Sequence, residues 1–224
     1  RSIIELQHIN KSYDGRTLIK DFDYIFLKND RIGFVGSNGS GKTTLLSILA
    51  GVLKPNSGKV MYNDKDLLRD SALRRKLIAY IPQKSPLIEE LNALDNLKLW
   101  YDKDELKKEI SSGVISLLGV DEFLKKPVSA LSMGMKKRLS IACAVADKPK
   151  ILLMDEPSAY LDIICKADIH RYMNEHKKQG GSIILVSHDV GDFGVCDEHY
   201  ALRSGILTPF EYNDNVDELI KIIG

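Results

Sequence analysis

Apolar and polar positions divide this chain into three stretches of different rhythm. In the first third, short apolar runs are set off by turn signals. The runs are Ile3 to Ile9 (IIELQHI), Tyr24 to Leu27 (YIFL), Ile32 to Val35 and Lys59 to Tyr62 (KVMY), and Asp14-Gly15, Asn29-Asp30 and Asn56-Ser57-Gly58 punctuate them. Such runs predict strands. One more strand is expected over Leu77 to Ile81, running into Pro82. From Leu87 to about Ala146 the apolar residues recur at helical spacing, as in Leu94 with Leu97 and in Leu106, Ile110, Val114, Leu117 and Leu118. From Ile151 onward, strand and helix alternate: ILLM, a helix over Ile163 to Gln179, a strand over Ser182 to Val186, then a short helix and a terminal strand pair. Alternation of this kind predicts an α/β fold with a mainly parallel sheet and helices on both faces.

Composition narrows the picture without changing it. The chain has 224 residues, enough for one large domain, with 44% hydrophobic and 28% charged positions. A net charge of +1 gives no bulk reason to expect nucleic acid or an acidic membrane as partner. No stretch approaches the roughly 18 apolar residues of a membrane span, and the N-terminus has no signal-peptide pattern, so a cytoplasmic protein is expected. Cys143, Cys165 and Cys196 lack metal-ligand spacing and are expected to be reduced, buried, apolar-like residues. The basic clusters Arg74-Arg75-Lys76 and Lys136-Lys137-Arg138 are expected to be solvated helix faces.

Candidate chemistry changes the picture most between Gly36 and Thr44. The sequence GSNGSGKTT fills the P-loop pattern, with Gly36, Gly41, Lys42 and Thr43 at its fixed positions and Ser37, Asn38, Gly39, Ser40 and Thr44 completing it. An apolar strand precedes it and a helical segment, Thr44 to Ala50, follows until Gly51. The glycines let successive N–H groups point inward as an anion nest, and the helix N-terminus adds its partial positive charge. Lys42 then reaches the outer phosphates of a nucleoside triphosphate, and the Thr43 hydroxyl ligates Mg²⁺.

Downstream, Ile151 to Glu156 reads ILLMDE. Four apolar residues mark a strand covered on both faces, and two carboxylates follow at its C-terminal end, where open α/β sheets place ligands. There Asp155 is suited to hold Mg²⁺ and Glu156 to act as general base on an attacking water. The same pair would also serve as caps of the following helix, and the P-loop upstream weighs against that role. Ser132 precedes an apolar-periodic segment and is a natural helix N-cap.

Taken together, these motifs resemble the ATP-binding subunits of ABC transporters, which carry a P-loop, a glutamine, an LSGGQ-like signature, a DE strand end and a switch histidine in that order. Here Gln83 stands in AYIPQ, Leu131 to Met135 reads LSMGM, Ser158 to Asp162 reads SAYLD, and His188 stands in LVSHD. The likeness covers nearly the whole chain. It implies a P-loop NTPase fold with an N-terminal antiparallel β portion. Residues 1–84 and 147–224 would form the core and 85–146 a helical subdomain. It further implies that Tyr13 stacks on adenine, that Gln83 contacts Mg²⁺ and the attacking water, and that His188 contacts the γ-phosphate of ATP. Ser132 and Gly134 are implied to cap ATP held by a second copy of the chain, giving a homodimer around two nucleotides. Met133 and Met135 depart from the usual glycine and glutamine, and Tyr160 is an unusually bulky member of its loop.

The region from Ser85 to Trp100 is implied to receive integral membrane subunits, which places the protein peripherally on the inner face of the cell membrane. Leu91, Leu94, Leu97 and Trp100 serve either that contact or the helical core. Two alternatives stand beside the transporter subunit. One is a soluble ATPase of the same type acting on ribosomes or nucleic acid, disfavoured because such chains carry paired ATPase domains or a long coiled-coil insert. The other is a non-catalytic nucleotide-binding module, disfavoured by Glu156 and His188.

Overall fold

Two sheets organise the molecule, and the larger one carries the P-loop. The computed structural model describes residues 2–213 and 215–223, with side chains from Ile4 onward. Strands β1 (Ser2–Tyr13) and β2 (Arg16–Leu27) form a hairpin through Asp14 and Gly15, at φ 45° and 79°. Two successive positive φ values suit a tight hairpin turn. Each strand runs 12 residues, longer than the apolar runs ending at Ile9 and beginning at Tyr24 predict. The added length of β1 is mostly polar, while that of β2 brings Ile19 and Phe22 into the core. Register shifts between Leu6 and Ile9 and again before Lys11 break the alternation from which a strand is recognised.

Next come β3 (Arg31–Val35), α1 (Lys42–Leu49), β4 (Ser57–Tyr62), β5 (Lys65–Asp66), α2 (Ser71–Leu77) and β6 (Ile78–Ile81). The strand expected from Leu77 begins one residue later. Asp70 caps α2 by accepting from the Leu73 amide at 2.9 Å, and Leu77 completes that helix. Then follow α3 (Ala93–Leu97), α4 (Lys103–Ser112), α5 (Val114–Leu117) and, after two 3₁₀ turns, α6 (Met133–Ala144). The starts of α3, α4 and α6 are set by side-chain caps: Asn92, Asp102 and Ser132, the last expected from the sequence, each accept a backbone N–H three residues on. The chain ends with β7 (Ile151–Asp155), α7 (Ile163–Lys178), β8 (Ser182–Val186), α8 (Val190–Gly194), β9 (Glu198–Arg203), β10 (Ile206–Pro209) and α9 (Val216–Ile223). Helix α9 is not among the expected elements, although Val216, Leu219, Ile220 and Ile223 carry its spacing.

The smaller sheet, in the order β2-β1-β4-β5, is antiparallel. The larger runs β10-β9-β3-β8-β7-β6, with every pair parallel except β9 with β10. Strand β7 is buried at every position and divides its side chains between two cores. Leu152 and Met154 face a cluster with Leu97, Ile115, Leu139, Ile169 and Leu185, while Ile151 and Leu153 face one with Ile4, Phe26, Leu45 and Ile184. Full burial of each such side chain contributes about 1.5–3 kcal/mol. The parallel register brings the C-terminal ends of β3, β6, β7 and β8 to one edge, and with them the P-loop, Gln83, Asp155-Glu156 and His188.

The basic clusters are only partly solvated, which corrects the expectation. Arg75 and Lys76 are exposed, but Arg74 donates to the Leu67 carbonyl at 2.6 Å and Arg138 pairs with Asp168 at 3.1 Å. Lys137 is buried, because it shares with Gly134 and Ile141 the face that α6 turns inward. Cys143 and Cys165 are buried and Cys196 half-buried. Leu97 belongs to the core and Leu94 packs against it, whereas Trp100 is 59% exposed beside exposed Leu99. Among the described residues no helix is long and apolar enough to cross a membrane.

Candidate active site

Strand β3 ends at Val35, and the chain loops over Gly36 to Gly41 before α1 begins at Lys42. Gly41 takes φ 101°, and a Cβ there would lie 2.9 Å from the Leu18 carbonyl oxygen, so the position needs glycine. The first turn of α1 carries no acidic residue, which leaves its N–H groups and dipole free for an anion. Lys42 folds back across the loop. Its Nζ donates to the Gly36 carbonyl at 2.7 Å, the Ser37 carbonyl at 3.0 Å and the Ser40 hydroxyl at 3.3 Å. Burial pushes its pKa down, and the charges of Glu156 and Asp155 oppose that shift.

Asp155 closes β7 almost fully buried and is hydrogen-bonded by the hydroxyls of Thr43 and Tyr80. Burial raises its carboxyl pKa, while the Thr43 bond and the ammonium groups of Lys137 and Lys42 pull it back. Glu156 continues the ladder, its N–H donating to the Val186 carbonyl at 2.8 Å. Its backbone sits at φ 49°, a left-handed conformation rare outside glycine. The Glu156 carboxylate accepts from the His188 backbone N–H at 3.2 Å and also contacts His188 Nδ1, and Nε2 of the same ring lies 3.1 Å from the Gly36 carbonyl oxygen. One imidazole therefore bridges the two catalytic candidates, the P-loop and the end of β7. Asp155 and Glu156 do not cap α7, whose cap is Asp162, accepting from the Cys165 amide at 2.9 Å.

The loop residues Ser37, Asn38, Gly39, Ser40, Gly41, Lys42, Thr43 and Thr44 line a cavity of about 890 Å³ together with Gln83, Glu156 and His188. A second cavity of about 510 Å³ adjoins it, with Thr43, Gln83 and Glu156 common to both and Asp155, Tyr80 and Lys137 on its own wall. The Thr43 hydroxyl and the Asp155 carboxylate are hard oxygen donors that share the wall of the second cavity, a set that fits Mg²⁺.

Three expected residues stand apart from the cavity. Tyr13 ends β1 outside its lining, 43% exposed, with the Lys11 ammonium 4.7 Å above its ring. Ser132 and Gly134 lie at the head of α6, also outside the lining. Ser132 accepts from the Met135 amide at 3.2 Å, and Gly134 packs so closely on α7 that a Cβ would overlap the Cys165 thiol. Around this helix end Met133, Tyr160, Ile163 and Ile164 are all strongly exposed.

Sequence reasoning missed several contributors. Arg16 donates to the Gly39 carbonyl at 3.3 Å, Tyr80 holds Asp155, and Lys137 reaches the glutamine segment. Asp192 is fully buried in α8 and takes hydrogen bonds from the Ser158 and Ser187 hydroxyls, each at 2.6 Å, with His170 Nε2 also at 2.6 Å. Ser158 and Ser187 flank Glu156 and His188 in sequence. Only spatial proximity across three elements identifies Asp192, and no local motif carries that signal.

Comparison with known proteins adds to this geometry. A family model described as ABC transporter matches residues 19–159. The chain is 36% identical over 197 residues to the spermidine/putrescine import ATP-binding protein PotA of Mesoplasma florum, covering 84% of this chain and 55% of that protein. It is 34% identical over 214 residues to the uncharacterized ABC transporter ATP-binding protein YybJ of Bacillus subtilis, covering 93% and 96%. The chain thus spans about half the length of the PotA relative and nearly all of YybJ. Among solved structures, a dimeric, post-hydrolysis ATP-binding cassette bound to ADP and Pi matches with a TM-score of 0.82 at 23% identity. That match covers 94% of this chain and 100% of the other, and bears on the fold.

Proposed function

This chain belongs to the ABC transporter family, and we propose that it is the ATP-binding and hydrolysing subunit of a transporter, closing as a homodimer on two ATP molecules to drive separate integral membrane subunits. The observation that carries this reading is the meeting of the P-loop, Glu156 and His188 on one cavity. The Lys42 ammonium exchanges its carbonyl partners for β- and γ-phosphate oxygens, since a cation binds an anionic oxygen more strongly than a neutral one. The amides of Gly36 to Thr44 cradle the same phosphates. Thr43, Asp155 and Gln83 would hold Mg²⁺, which when bound would supply positive charge against the charge that develops on the phosphates. Glu156 orients the attacking water as general base, and His188, held by Glu156 and Gly36, contacts the γ-phosphate.

Tyr13 stacks on adenine. Ser132 and Gly134 present the head of α6 to the ATP of the second copy, so a lone protomer leaves the phosphate open to water. Closure on binding and opening after hydrolysis provide the stroke. Residues 85–146 act as a helical subdomain on a core of 1–84 and 147–224, and its exposed Leu99 and Trp100 suit contact with membrane subunits on the inner face of the membrane. Relatives named as transporter proteins do not favour a soluble ATPase acting on ribosomes or nucleic acid.

Glu156→Gln tests the reading. With saturating ATP and Mg²⁺ the variant is expected to run as a stable dimer by light scattering while phosphate release falls at least roughly a hundredfold. A variant that stays monomeric overturns the sandwich, and undiminished phosphate release overturns Glu156 as the base.

A further inference from the structure

Lys137 lies midway along α6 and is only 5% exposed. A buried ammonium needs acceptors, because an unpaired charge in the interior costs far more than a lost surface contact. Its Nζ finds two, donating to the Pro82 carbonyl at 2.8 Å and to the Gln83 carbonyl at 2.8 Å. These are the two residues that follow β6, the strand end from which the Gln83 side chain enters the cavity wall. Among the described residues, these are the hydrogen bonds that the Pro82 and Gln83 backbone makes. The next backbone bond downstream is from Leu87 N–H to the Ser85 carbonyl at 3.0 Å. The segment is therefore tied to α6 more firmly than to its own neighbours. Four residues before Lys137 along the same helix is Met133, next to the Ser132 cap.

We propose that Lys137 is a positioning residue that clamps the Pro82–Gln83 backbone to α6, so that Gln83 is presented to the cavity and a displacement of the Ser132 end of the helix reaches Gln83 directly. This rests on the reading of Gln83 as a contact of Mg²⁺ and the attacking water. A lysine suits the task because one ammonium satisfies two carbonyls that diverge from a single strand end, whereas a planar amide serves one of them well. The clamp also explains why a charged residue occupies a helix face otherwise lined by Gly134 and Ile141.

The experiment uses the full chain and two readouts: hydrogen exchange across residues 80–88, and steady-state phosphate release against Mg²⁺ at saturating ATP. Lys137→Met keeps an unbranched side chain only one heavy atom shorter and loses its donors. It is expected to speed exchange at Leu87 and Ile88, the hydrogen-bonded amides that follow the clamped segment, roughly tenfold and to lower kcat by a similar factor. The Mg²⁺ concentration for half-maximal turnover rises, while KM for ATP stays within about twofold, the split that separates positioning from uniform binding. Lys137→Arg, which retains the donors, is expected to stay closer to wild type on every readout. Unchanged exchange and an unchanged Mg²⁺ requirement in Lys137→Met overturn the clamp. If that variant does not fold, Lys137→Gln, with one donor group left, is expected to fall between wild type and loss, and wild-type behaviour in it overturns the clamp equally. Wild-type protein without turnover overturns the proposed function instead, and the exchange measurement then decides the clamp by itself.

Discussion

The head of α1 and the head of α6 both offer backbone N–H groups to an anion, yet they are finished in opposite ways. At α1 the loop is enclosed: Lys42 is buried with three oxygen partners, Arg16 reaches the Gly39 carbonyl, and His188 touches Gly36. At α6 a single side chain, Ser132, satisfies one amide, and the surrounding Met133, Tyr160, Ile163 and Ile164 are 60%, 84%, 82% and 70% exposed. A large apolar rim around a polar helix end is uncommon on a surface that faces only water. The contrast teaches that the head of α1 is closed off within the chain, while the head of α6 carries an apolar rim suited to a surface that the chain alone does not supply.

The largest effect expected from breaking this contrast is at Lys42. Lys42→Ala should lower ATP affinity and phosphate release together, release by at least roughly a hundredfold, because a preorganised charge at the phosphates is removed. Retained turnover would mean that the enclosed loop is not the grip. A smaller effect is expected from Gly134→Ala, whose new methyl meets the Cys165 thiol. Overpacking there should cost about 1–3 kcal/mol by chemical denaturation. It should slow turnover with ATP affinity intact, and Cys165→Ala added to it should restore part of both. Smallest is Ser132→Ala, where loss of the cap should cost about 1 kcal/mol of stability. ATP affinity measured on the monomer should not change. Equal affinity losses in Ser132→Ala and Lys42→Ala would erase the distinction between the two helix ends.

What could be read from the sequence follows the range of the interactions. The P-loop, the buried run of β7, the cap Ser132, and the strand over Ser182 to Val186 are each set within a few residues, so local pattern suffices. The N-terminal hairpin was legible at its Asp14-Gly15 turn but not in its length, because bulges scramble the alternation. Lys137 and Asp192 were illegible for a different reason. Lys137 belongs to a basic triplet indistinguishable from a solvated face until α6 is rotated against β6, some 55 residues away along the chain. Asp192 gains its meaning from Ser158, 34 residues upstream. Helix α9 had the right spacing and was passed over, though its Ile223 reaches the nucleotide cavity.

Asp192 has one more consequence. A carboxylate sealed from water cannot easily be left with broken bonds, since stripping its partners costs far more than an exposed contact would. Ser158, two positions past Glu156, and Ser187, one position before His188, are fastened to its two oxygens. The turn behind the glutamate and the turn before the histidine therefore share one hinge pin. Neither turn can move away from Asp192 without breaking one of these bonds, so the two are tied together as one unit.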